Sequence, residues 1–233
     1  MPKAVSVISV PSAVELFSNN IGRDILIDFL TALREKVEEV GQSGGTVVID
    51  FGNTIRLESR GMILLYAELH RLRHYFSTVR LLIKEARQSP SEVKGVSHHK
   101  MIVNEVLDHL GLLRQFGCSK RFPSSRTNVV NWQHFHLDTV DMESVLPILQ
   151  KLETHITQQS SSSLESGLAE TVDNAVGHAY SSIRQDGLNI DDAAHGNRTW
   201  HLFTHIREST VSVLLADLGV GIPPQYPTVL EGA

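Results

Sequence analysis

The chain has 233 residues, 41% of them hydrophobic, enough for one large or two modest domains with buried cores. Its 21 Lys and Arg against 26 Asp and Glu give a net charge of −5 and an isoelectric point near 6.2; with no basic stripe to neutralise phosphates, this argues against a general nucleic-acid binder. One cysteine, Cys118, excludes an internal disulfide and fits a reducing cytoplasm, and no signal-peptide core or bilayer-length apolar run is present, so neither nucleic acid nor membrane is expected as a partner.

Val5–Val10 is a short β-branched run closed by Pro11 and reads as a strand. Asp24–Val40 places Ile25, Phe29, Leu30, Leu33, Val37 and Val40 at helical spacing among charged residues, and Gly41 ends the helix. After a Ser43-Gly44-Gly45 turn, Thr46–Phe51 is a continuous apolar run, the mark of a central strand covered on both faces. Ser59–His74 is a helix with Leu64, Leu65, Leu69 and Leu72 inside, Val79–Lys84 a strand, and Met101–Leu110 a helix stopped by Gly111. Alternating strands and helices imply parallel β-α units.

The run from Thr46 to Leu72, the following strand and VNEVLDHLGLLRQFG resemble a STAS domain, the anti-sigma-factor antagonist fold, over most of residues 1–122. That family carries an Asp-Ser-Ser-Gly turn at the start of a helix. The matching residues are Glu58, Ser59, Arg60 and Gly61, with Glu in place of Asp and Arg in place of a small residue. The resemblance puts Ser59 on the phosphoacceptor position of the phosphorylated antagonists; the residues alone make Ser59 a helix N-cap. A phosphoryl group there would add about −1.5 to −2 charges at a helix N-terminus.

Residues 119–140 are a mixed connector in which Val129–Leu137 partly alternates and reads as a strand. His134 and His136 share a face of that strand, and without Cys, Asp or Glu nearby they read as surface residues, as do His98 and His99. Met142–Ile156 is a helix on Val145, Leu146, Leu149, Leu152 and Ile156. His155 lacks the surroundings of a histidine-kinase phosphoacceptor, which disfavours a histidine-kinase-like sensor.

Ser162–Tyr180 is the most organised stretch. Ser162 and Glu165 form a capping box, with the preceding serines a loop. Leu164, Leu168, Val172 and Val176 recur every four residues as an apolar stripe, with Ala175 and Ala179 beside it. Glu170, Asn174 and His178 recur at the same interval on the opposite face, as either a solvated row or a working one. Residues 186–197 read as a loop, and Thr199–Ile206 and Val211–Ala216 as antiparallel strands. The second strand breaks into Asp217-Leu218-Gly219-Val220-Gly221. Gly219 and Gly221 would let backbone approach a flat ligand, and Asp217 could accept from an exocyclic amine; a plain turn is the alternative.

Together, Glu170-Asn174-His178-Ala179 and the downstream Asp217-x-Gly219-x-Gly221 turn resemble the GHKL (histidine-kinase-like) ATPase family, nearest its anti-sigma-factor serine-kinase branch. The resemblance implies ATP and Mg²⁺ as cofactors. It makes Glu170 the catalytic residue that orients a water or hydroxyl, and Asn174 an oxygen ligand of Mg²⁺. Asp217 would accept from the adenine amine, Gly219 and Gly221 would clear space beside the base, and His178 would extend the row toward a phosphate or have a structural role. The family continues with a mobile lid, a Gly-rich phosphate box and a further strand, absent before Ala233; residues 123–233 therefore read as its N-terminal portion, expected to bind ATP weakly or not at all.

The expected architecture is α/β: an N-terminal STAS-like β-α domain, residues 1–122, followed by a truncated Bergerat-type α/β sandwich. The expected function is a cytoplasmic, bacterial regulatory switch, a GHKL ATPase or serine/threonine kinase-like protein that docks a regulatory protein partner. The alternative is a non-catalytic interaction scaffold with a vestigial nucleotide site. Monomer and homodimer are both compatible with the sequence.

Overall fold

A parallel strand pair needs a crossover between its members, and the first half of the chain supplies two long helices for that purpose. The computed structural model describes residues 4–16, 20–87, 94–137, 146–177, 179, 199–207 and 210–219. In chain order, β1 (Ala4–Ser9) and β2 (Ala13–Val14) precede α1 (Asn20–Gly41), and β3 (Gly45–Asp50) and β4 (Arg56–Leu57) precede α2 (Ser59–Tyr75). Then come β5 (Val79–Lys84), α3 (Lys94–His109), the short α4 (Leu112–Gln115) and α5 (Thr127–Val130), and β6 (Trp132–Leu137). The later elements are α6 (Leu146–Glu153), α7 (Gln158–Gly177), β7 (Trp200–Arg207) and β8 (Thr210–Asp217). This is a mixed α/β protein. Its contacts divide it into two units, residues 1–135 with 201–216, and residues 136–200 with 217–233.

In the first unit β1, β3 and β5 form a parallel sheet in the order β1-β3-β5, with Val7, Val48 and Leu82 in one row and Ile8, Ile49 and Ile83 in the next. Val47, Ile49, Leu81 and Ile83 are buried on one face. On the other face Val48 and Leu82 are half-buried, and Val5 and Val7 are 66% and 60% exposed. The central strand is therefore covered fully on one face among the described residues, where the sequence led us to expect two. Val48 is apolar although it looks away from the buried face, and an apolar run does not reveal that alternation.

α1 begins earlier than its sequence suggests and buries Leu26, Leu30, Leu33, Val37 and Val40, a four-three spacing that keeps one stripe inward. Ile25, assigned to that stripe from sequence, is 48% exposed, because Leu26 takes the inward position. Between α1 and α2 lies a buried ion pair. Arg34 donates Nε to Glu68 Oε1 at 2.9 Å and Nη2 to Oε2 at 3.3 Å, and Arg71 Nη1 lies 3.6 Å from the same carboxylate. Removing one partner of such a pair strands a buried charge and costs about 3–5 kcal/mol.

β6, β7 and β8 form a second sheet in that order. The Ile206 N–H donates to Asn131 O, and Asn131 Nδ2 donates to Ile206 O at 3.1 Å, so the start of β6 meets the end of β7 and the pair is antiparallel. Two residues join β7 to β8, a hairpin connection. The rings of Trp132 and His205 lie 4.9 Å apart and those of His134 and Phe203 4.8 Å apart, as cross-strand neighbours on one face. Tyr66 of α2 lies on that face, 3.6 Å from His134 by ring centroids. α2 is thus buried on nearly every side, from Met62 through Leu65, Tyr66 and Leu69 to Leu72. The strand expected over Val129–Leu137 starts at Trp132, since its first residues turn into α5.

In the second unit α6 packs on α7. Leu149 and Leu152 are buried on the first, and Leu168, Val172 and Ala175 on the second. Val145, expected on the α6 stripe, lies outside the described residues.

Candidate functional site

α7 carries the first half of the expected constellation. Its start is set by Thr157, whose Oγ1 accepts from the Ser160 N–H at 3.2 Å, while Ser161 N–H bonds back to Thr157 O at 2.9 Å. Ser162, expected as the cap, lies one turn inside and donates Oγ to Gln158 O at 3.3 Å. A serine run offers several candidate caps, and the threonine ahead of it wins because the helical turn of serines can bond back to the preceding carbonyls.

Glu170 and Asn174 stand one turn apart on the exposed face of α7, with Leu168, Val172 and Ala175 on the buried face. Neither side chain makes a hydrogen bond or ion pair to another described residue. His178 and Gly221 lie outside the described residues. Among the described residues no group of three or more His, Cys, Asp or Glu could hold a metal ion. A cation at Asn174 would complete its shell with phosphate oxygens and water, as Mg²⁺ commonly does.

The second half follows β8. Asp217 Oδ1 accepts from the Gly219 N–H at 2.9 Å and so closes the turn on itself. Leu218 is buried, and Gly219 lies directly on the backbone of Ala179, two residues past the end of α7. A Cβ at 219 would fall on the Ala179 carbonyl. Glycine is therefore required by close approach of two backbones. That contact brings the strand-end turn to the end of the helix bearing Glu170 and Asn174, within one unit.

Ser59 opens α2 as its first helical residue and is half-buried. The cap position belongs to Glu58, extended at φ −115 and ψ 142, whose Oε2 accepts from Leu16 N–H at 3.1 Å. Ser59 is therefore not the cap its sequence context suggested. Gly61 presses on β2, where a Cβ would meet Val14 O at 2.6 Å. The Glu58–Gly61 turn is thus anchored to β2, with Arg60 exposed.

A cavity of about 590 Å³ lies at the carboxyl end of β5, lined by Glu85, Arg87, Met101, Asn104, Lys120 and Phe122. Its polar groups serve the fold. Asn104 pairs with both backbone groups of Ala86 at 2.8 Å, and Lys100 donates to Arg87 O at 3.1 Å. Lys120 binds Glu85; burial pushes the Glu85 carboxyl up, but that hydrogen bond and the nearby positive charge hold it below its ordinary value.

His134 and His201 form a cluster that sequence reasoning missed. His134, read as a surface residue, has Nε2 3.1 Å from His201 Nδ1, and His201 is 1% exposed. The available signal was the alternation of Trp132 and His134, which places the imidazole on the face of the buried indole. Compared with known proteins, the chain matches no family model, no curated protein and no solved structure.

Proposed function

We propose that this chain is a regulatory nucleotide-binding protein, in which α7 and the turn after β8 form an adenine-nucleotide site of the GHKL type. In this reading Asp217 Oδ2 accepts from the adenine amine while Oδ1 holds the turn. Asn174 supplies an oxygen to Mg²⁺, and Glu170 orients the water or hydroxyl that attacks the terminal phosphate. The reading places a STAS-like protein-interaction module in residues 1–122 and a Bergerat-type sandwich in residues 123–233, acting as a cytoplasmic switch on a regulatory protein partner. The observation that supports it most is the backbone contact of Gly219 with Ala179, which joins two separate motif halves.

A second reading is a non-catalytic scaffold with a vestigial site. It is favoured by the exposure of Glu170 and Asn174, whose rotamers no described neighbour fixes, whereas catalytic groups are held by their surroundings. Saturation-transfer NMR with Mg-ATP separates the two. Weak binding that contacts the adenine protons and disappears in Asp217→Asn supports the nucleotide site, and no transfer at millimolar ATP supports the scaffold. With γ-labelled ATP, label on protein marks a kinase, free phosphate an ATPase, and Ser59→Ala tells whether the acceptor is internal.

A further inference from the structure

Positive charge gathers in one hollow of the first unit, although the chain as a whole is acidic. A cavity of about 430 Å³ lies where α2 ends and β5 begins. Arg73, Ser77, Thr78 and Arg80 line it from that connection, and Gln115 and Gly117 line it from the end of α4. Among the described residues no Asp or Glu does so. A cleft walled by one sign of charge focuses its field and concentrates ions of the other sign.

Each donor is placed by its own part of the fold. Arg73, in the last turn of α2, donates Nη1 to Gln115 O at 3.4 Å, and its guanidinium carbon lies 5.8 Å from the centre of the Phe116 ring. That single long bond leaves most N–H groups of the guanidinium uncommitted. Arg80 is exposed on β5 and makes no hydrogen bond or ion pair with a described residue. Gln115 is oriented by Tyr66. Burial pushes the Tyr66 phenol up, against a smaller downward pull from Arg73, so the hydroxyl keeps its proton and donates to Gln115 Oε1 at 2.9 Å. The amide nitrogen of Gln115 is thereby left as a donor. Gly117 is left-handed at φ 78, and a Cβ there would meet Leu82 Cδ2 at 2.6 Å, so that part of the wall is bare backbone. Ile83 N–H donates to Phe116 O at 3.0 Å and Cys118 N–H to Leu113 O at 2.8 Å, which fastens the stretch around Gly117 to its surroundings.

We propose that this cavity is a binding site for a small, multiply charged oxyanion, a phosphorylated or polycarboxylate molecule. Guanidinium forks match the paired oxygens of either group, and the Gln115 amide with the Ser77 and Thr78 hydroxyls supplies uncharged donors beside them. α2 turns its carbonyl end toward this region, which by itself favours a cation. Arg73 answers that end from within the last turn, whereas Arg80 stands beyond the helix on β5 and remains for the ligand. The lining belongs wholly to the first unit, while α7 and the turn after β8 belong to the second, so the two sites stand or fall separately.

Backbone-assigned NMR of the full chain tests this, with pyrophosphate or citrate titrated against sodium chloride at matched ionic strength. The amide signals of Ser77, Thr78, Arg80, Gln115 and Gly117 should shift and saturate with a polyvalent anion and not with chloride. Binding of either anion supports the site, and the tighter of the two identifies the ligand class. Arg80→Gln keeps a donor without the charge and should weaken binding by about tenfold or more. Arg23→Gln removes an exposed charge from α1, and Asp217→Asn alters the nucleotide site; both should leave the affinity unchanged. An equal response to chloride, an affinity that survives Arg80→Gln, or an equal loss in Arg23→Gln or Asp217→Asn would each overturn the proposal. Should Arg80→Gln not fold, the wild-type titration decides. Saturating shifts confined to these amides uphold the site, and no shift at millimolar anion, or shifts spread over the surface, sinks it.

Discussion

Two glycines of the second unit carry opposite consequences for the same substitution. At Gly219 a methyl group meets the fixed carbonyl of Ala179, and neither backbone can yield as a side chain would. Gly219→Ala should destabilise the chain by about 3 kcal/mol, the upper range for overpacking, and displace the Asp217 turn. Gly167 sits within α7 with nothing within 4 Å of a built Cβ. There alanine removes freedom from the unfolded chain at no steric cost, and Gly167→Ala should stabilise by about 0.5–1 kcal/mol. Thermal melts of the two variants against wild type check both signs. If Gly219→Ala melted with wild type, the backbone contact would lose its meaning, and the strongest support for the nucleotide reading with it.

At the scale of elements, α7 separates what the sequence discloses from what it hides. Of its expected stripe, Leu168 and Val172 are buried, with Ala175 beside them, and these were legible because periodicity at 3.6 residues follows from burial on one side; Leu164 and Val176, expected in the same stripe, are half-buried. The exposed row of Glu170 and Asn174 was legible for the same reason. Its start was not, since Thr157 and Ser162 are equally good caps on paper. Thr157→Ala should therefore cost about 1 kcal/mol, whereas Ser162→Ala should be neutral within about 0.5 kcal/mol or slightly stabilising, because serine back-bonds to Gln158 mid-helix. Denaturant midpoints for the two variants should differ in that order; the reverse order would return the helix start to Ser162.

For the molecule as a whole, the order of the longer strands and helices was readable, and β5 was expected over the residues it occupies, whereas the short β2, β4, α4 and α5 were not expected. The partition of the chain was not, because strand pairing across tens of residues leaves no local pattern. The resemblances put a boundary near residue 122, while contacts gather 201–216 with residues 1–135. The β6–β7 ladder explains how. With Asn131 opposite Ile206 and His134 beside Phe203, the antiparallel register sets Phe135 opposite Leu202. The chain thus leaves the first unit and re-enters it on adjacent strands, as at the neck of a hairpin, the geometry that tolerates an inserted segment.

Residues 1–122 alone would strip β6 and β7 from Tyr66 and His70 and bare one side of α2. That polypeptide should bind a hydrophobic dye and melt without a sharp transition. Residues 1–135 joined to 201–216 by a short Gly-rich turn should melt cooperatively and bind little dye, because the layer that covers α2 is restored. Dye fluorescence and calorimetry on the two polypeptides give the comparison. Cooperative melting of residues 1–122 would mean that α2 does not depend on β6 and β7 for its cover, and the first unit would end at the connector.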